Sequence, residues 1–114
     1  ALSKGNFDAY FKKAQKVQTL IKQELDQAFQ KCDLIITPTT PTPAFKINQD
    51  QEDAQSRYIC DAFTAPVNIA GIAAISVPAG FSSKGLPIGL QIIAPSLGEK
   101  LMFDAAYAFE RMRQ

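Results

Sequence analysis

Histidine is absent from these 114 residues, and so is tryptophan. Without histidine the chain cannot by itself assemble a Ser-His-Asp or Cys-His set, and it lacks the usual proton shuttle near neutral pH. Acid–base chemistry within it would fall to Lys, Asp, Glu or Tyr. Cysteine is scarce: Cys32 and Cys60 stand far apart, with no CxxC pairing and no histidine to complete a metal site. They read as two reduced, buried small residues of a cytoplasmic protein. No apolar run approaches the ~18 residues that a membrane span requires, and no signal peptide is visible. Excess charge is missing too. A formal net charge of +1 removes any global electrostatic case for nucleic acid or an anionic membrane.

What is present is the composition of an ordinary globular domain, 46% hydrophobic against 20% charged, enough for one core and not for two. Apolar residues recur at three- and four-residue steps from Phe7 through Tyr10, Phe11, Ala14, Val17, Leu20, Ile21, Leu25, Ala28 and Phe29. That spacing predicts an amphipathic helix capped by Asn6 and ending near Lys31. Lys12, Lys13, Lys16 and Lys22 crowd it, as a solvated face or as contacts to RNA phosphates. Leu34–Ile36 is β-branched and apolar, and Pro38, Pro41 and Pro43 forbid further helix, so a strand ends there in a rigid loop. Residues 48–56 are polar and acidic and read as an exposed loop. A short helix is expected over 57–63, with the chain extended before Pro66. Strands follow at 74–79 and 88–94, joined by the turn-forming "GFSSKGLP" into an antiparallel hairpin. A last helix starts at Ser96 or Gly98 and carries Leu101, Met102, Ala105, Ala106, Phe109 and Met112 on one face. There are no internal repeats. Single-stripe helices beside strands apolar on both faces imply an α/β fold with a small sheet covered by helices. Three strands suit a section of a larger sheet better than a complete fold, and the opening at Ala1 with a helical pattern almost at once suggests the same.

Four features could carry chemistry. The hydroxyls of Thr37, Thr39, Thr40 and Thr42 have no evident base to activate them, so loop geometry is the reading they support. The small-residue stretch Pro66–Phe81, with Gly71 and Gly80, could cradle a ligand or simply pack tightly. It matches neither GxGxxG nor a P-loop. Asp61 stands in the apolar run "YICDAFTAP". It is either exposed and structural, or part-buried and held by a partner such as a ligand ammonium. Gln91 interrupts the strand "GLQII" and needs its amide hydrogen-bonded.

Six blocks, "LSKGNFDAYFKKAQKVQTLI", "DLIITPTTPTPAF", "DAFTAPVNIAG", "ISVPAGF", "GLPIGLQIIAP" and the closing amphipathic helix, follow one another in the order and spacing of the amidase-signature family. Over nearly its full length the chain resembles that family, and it is most similar to the glutamine-hydrolysing subunit of the tRNA-dependent amidotransferases. The resemblance implies that residues 1–114 are a single C-terminal fragment of a larger amidase domain with a mixed central sheet. The family's serine nucleophile, bridging serine and lysine belong to an upstream signature that nothing here matches. "FSSKG" lacks its glycine-rich surround and reads as the hairpin turn. The fragment alone is therefore expected to be inactive, with no catalytic residue, cofactor or metal site of its own.

The resemblance carries one functional residue to this chain. Asp61 is similar in position to the carboxylate that holds the α-ammonium of glutamine, while the arginine for the substrate carboxylate lies upstream of Ala1. The parent would release ammonia from glutamine, and a second subunit would use it with ATP and magnesium to convert Glu-tRNA(Gln) to Gln-tRNA(Gln). Implied partners are the remainder of the parent polypeptide together with the amidotransferase subunits B and C, in the cytoplasm. An exposed sheet edge makes self-association a further expectation. Ile72, Ala73 and Ala74 stand where members usually carry Leu-Pro-Gly. A fragment of a stand-alone amidase, or a non-catalytic binding or scaffold domain, are the competing readings.

Overall fold

The computed structural model of the chain describes residues 10–46 and 59–113. The expected cap at Asn6, the acidic loop at 48–56 and the first two residues of the helix expected at 57–63 lie outside them. The described elements are helix α1 (Lys12–Phe29), strand β1 (Ile35–Pro38), helix α2 (Ala65–Ala70), strands β2 (Ala74–Phe81) and β3 (Pro87–Ile93), and helix α3 (Glu99–Met112). This is the α/β arrangement that the pattern of stripes and strands predicts.

The three strands form one sheet in the order β1-β3-β2, antiparallel at both interfaces. β2 and β3 make the expected hairpin, and its turn shows what "FSSKG" does. Ser82 N–H donates to the Leu86 carbonyl at 2.8 Å, while the Ser82 hydroxyl accepts from the amides of Lys84 and Leu86. The serine closes a loop, a common use of a hydroxyl beside a backbone that must reverse. A register shift between Pro78 and Gly80 leaves one residue of β2 bulged. Pro78 is tolerated because β2 is an edge strand, where a missing N–H breaks no ladder. Its carbonyl is taken by the Arg113 guanidinium.

Alternation along the strands decides the two faces of the sheet. Ile75 lies opposite Ile92 and Val77 opposite Leu90, and these side chains meet α3. The main core is that contact: Val77, Ile92, Ala94, Met102 and Ala106 are buried in one cluster, with Leu34, Ala73, Ile75, Leu90, Ala105 and Phe109 packed around it. Helix α3 starts after Gly98, the second of the two caps expected, without a side-chain capping hydrogen bond.

The short helix differs from its expected place. Residues 59 and 60 are helical, 61–64 form a turn, and the regular helix α2 runs Ala65–Ala70 with Pro66 in its first turn. Proline ends a helix from within but fits its start, where the missing N–H has no intrahelical partner anyway. Gly71 stops α2 in a left-handed conformation (φ 67°), its N–H donating to Val67 O at 3.1 Å, the C-cap for which glycine carries no Cβ penalty. Helix α1 packs on α2, with Gln18 Nε2 donating to Ile69 O at 2.9 Å, and none of its side chains is fully buried. Lys22 pairs with Asp26 at 3.1 Å along the exposed helix, as a solvated face would. Cys32 is exposed, contrary to the buried thiol expected, because it follows the end of α1 and its Sγ–H turns back to Ala28 O; Cys60 is half-buried, and neither forms a disulfide.

Candidate functional site

The sheet face away from α3 carries the polar residues. Across it the register aligns Thr37 with Gln91 and Gln91 with Ser76, one residue from each strand. Gln91 is 4% exposed and is the buried polar side chain among the described residues. Its Nε2 donates to Thr37 Oγ1 and to the Phe63 carbonyl, both at 3.0 Å. The need for hydrogen bonds inferred for Gln91 is met twice over.

Just beyond this row, Thr39 Oγ1 and Ser76 Oγ are 2.6 Å apart, a hydroxyl–hydroxyl bond spanning the middle strand. They meet over Gly89. A Cβ there would stand 2.6 Å from the Thr39 hydroxyl and 2.9 Å from that of Ser76, so only glycine admits the pair. The threonines thus divide. Thr40 Oγ1 bonds the backbone at Thr42 O, 2.8 Å, as loop geometry predicts. Thr37 instead bonds a side chain on the adjacent strand β3, and Thr39 one on β2 across it. That role, and Ser76, are not apparent in the sequence, because the register that aligns 37, 76 and 91 is a tertiary property. The usable signal is alternation: each of the three residues is polar between two apolar neighbours.

Asp61 lies on the turn that feeds α2. Its main-chain carbonyl accepts from the amides of Thr64 (3.2 Å) and Ala65 (2.9 Å) and from the Thr64 hydroxyl. Since Phe63 in the same turn is bonded to Gln91, the turn lies against the polar face of the sheet. The Asp61 side chain is exposed and makes no ion pair or hydrogen bond with another described residue. It is an acceptor of single negative charge at the edge of a neutral polar row, suited to an ammonium group and not to a phosphate. Of the other candidates, Gly71 caps a helix and Gly80 (φ 140°) sits at the bulge of β2. Among the described residues no cluster of His, Cys, Asp and Glu is placed to hold a metal ion, and no helix is long and apolar enough to cross a membrane. On the opposite side of the sheet, the hydrogen bond that Lys100 on α3 donates to the Asp104 carboxylate, together with that group's negative charge, raises the pKa of Lys100.

A family model described as Amidase matches residues 1–103. The chain is 55% identical over all 114 residues to the A subunit of the glutamyl-tRNA(Gln) amidotransferase of Geobacter sp. (strain M21), of which it covers 24%. It is 56% identical over 110 residues to a corresponding A subunit of Clostridium acetobutylicum, covering 22% of that protein. Among solved structures, the A subunit of the glutamyl-tRNA(Gln) amidotransferase of Thermotoga maritima superposes with a TM-score of 0.79 at 43% identity, over 87% of this chain and 22% of that one. The allophanate hydrolase of Kluyveromyces lactis reaches 0.76 at 30% identity, over 91% and 17%. The chain therefore spans about a quarter of the length of these curated relatives.

Proposed function

The chain belongs to the amidase family, and from that premise we propose that it is the C-terminal section of the glutamine-hydrolysing subunit of a tRNA-dependent amidotransferase. One observation carries the choice within the family. Identity to the glutamyl-tRNA(Gln) amidotransferase relative from Geobacter is 55% across the whole chain, whereas the allophanate hydrolase, with nearly the same backbone, shares 30%. A shared backbone alone says little about substrate.

In this reading Asp61 holds the α-ammonium of glutamine, and the nucleophilic serine, its bridging serine and the lysine come from the remainder of the parent polypeptide. The serine attacks the side-chain amide, forms an acyl-enzyme and releases ammonia. Subunits B and C complete the assembly, which uses ATP and magnesium to amidate Glu-tRNA(Gln) in the cytoplasm. ATP and magnesium belong with a partner and not with this section.

The exposed carboxylate of Asp61, unengaged by other described residues, supports the role: a group already paired would have to break a bond to take a ligand. A charged hydrogen bond of this kind contributes about 1.5–3 kcal/mol, so Asp61→Ala in the complete subunit should raise the KM for glutamine roughly 10- to 100-fold. Steady-state ammonia release, with circular dichroism as a check on folding, measures it. An unchanged KM would remove Asp61 from the site.

A further inference from the structure

We infer that Gln91 is a positioning residue, its amide latching the turn that carries Asp61 onto the middle strand of the sheet. A buried amide in a strand whose other buried side chains are apolar is costly unless its hydrogen bonds are made. Leucine or methionine would fill the same volume without that cost. The amide must therefore be judged by what it bonds. A carbonyl can only accept, so the contact to Phe63 O requires the nitrogen of Gln91 there and fixes the orientation of the amide. The second N–H goes to Thr37 Oγ1, which holds the side chain at one rotamer from the neighbouring strand. Phe63 is two residues beyond Asp61, inside the turn that the Asp61 carbonyl closes through Thr64 and Ala65. Among the described residues no backbone hydrogen bond joins 59–66 to the sheet, and the Gln91 amide supplies a side-chain hydrogen bond that does. A carboxylate meant to meet a small ligand needs such support, since a displacement of about 1 Å is enough to lose the contact.

The kinetic half of this inference rests on the reading of Asp61 given above, while the latch itself does not. The experiment is Gln91→Met in the complete subunit, read by amide hydrogen exchange and by glutamine kinetics. Exchange across 61–66 should rise about tenfold or more while 99–112 in α3 keeps its protection, because only one attachment is lost. The KM for glutamine should rise about tenfold with kcat within about threefold, the signature of lost binding and not of lost chemistry. Gln91→Glu keeps the shape and provides a second test: ionised it has no donor, and protonated it regains one. Protection of 61–66, corrected for intrinsic exchange, should return as the pH falls. No change at 61–66, or an equal rise in both segments, overturns the latch, as does loosening in Gln91→Glu that acid does not reverse. A selective rise with an unchanged KM overturns the positioning role. If Asp61→Ala also leaves the KM unchanged, it is the assignment of Asp61 that has failed, and the exchange result still decides the latch.

Discussion

At Gly89 the segment just after β1 and strands β2 and β3 come so close that a hydrogen atom is the only side chain that fits. The Thr39 and Ser76 hydroxyls close over it at 2.6 Å, and an added methyl would overlap both. Gly89→Ala should therefore cost about 1–3 kcal/mol, the usual range for overpacking. Adding Thr39→Ala to it should restore part of the loss, since the nearest obstacle is gone. Thermal unfolding of the two single variants and the double variant checks this, and strict additivity would argue against the contact. Nothing in "PIGLQII" says which of its residues sits beneath a hydroxyl pair. The strand itself was legible from its Ile and Leu content. The site was not, because hydroxyls 37 residues apart meet only through a register that the central strand imposes.

Two helices of similar amphipathic spacing meet different fates in the fold. α3 buries Met102 and Ala106 against the sheet, whereas α1 leaves Val17 at 47% and Leu20 at 58% exposed. Periodicity predicts both helices equally well, since it measures a stripe and not what covers it. In this chain Met102→Ala should cost about 2–5 kcal/mol, while Leu20→Ala should stay within about 0.5 kcal/mol. On the proposed reading that further parts of the domain cover α1 in a complete subunit, the Leu20 variant should become clearly destabilising there. Chemical denaturation of both variants in both contexts separates the cases. Equal effects of Leu20→Ala in the two would mean that α1 faces solvent throughout. α2 shows the limit of local rules. Pro66 restricts its predecessor in most settings, yet here both residues open a helix, because the turn latched to Gln91 presents the chain in helical geometry before proline arrives.

The described residues form a spread-out body. Its radius of gyration is 17.1 Å, where a compact chain of this length would have about 13 Å. Ile36 on the edge strand, Leu20 on α1 and Phe103 and Tyr107 on the outer side of α3 are each more than half exposed. Unpaired edges and apolar faces of this kind attract one another. The 114-residue chain alone should thus sediment as oligomers at tens of micromolar, and Leu20→Lys with Ile36→Lys should shift it toward monomer. A monodisperse monomer of the unaltered chain in analytical ultracentrifugation would contradict this.

Stripes, β-branched runs and turn residues are local, which is why the sequence by itself determined the order of helices and strands, the hairpin at "FSSKG" and, through six ordered blocks, the family. Those properties need only neighbours along the chain. Three matters were left to the tertiary structure: the alignment of Thr37, Gln91 and Ser76, the fastening of the Asp61 turn to that row, and the bare stripe of α1. Each depends on what lies across a sheet or beside a helix, and that is set by how separate elements share one core.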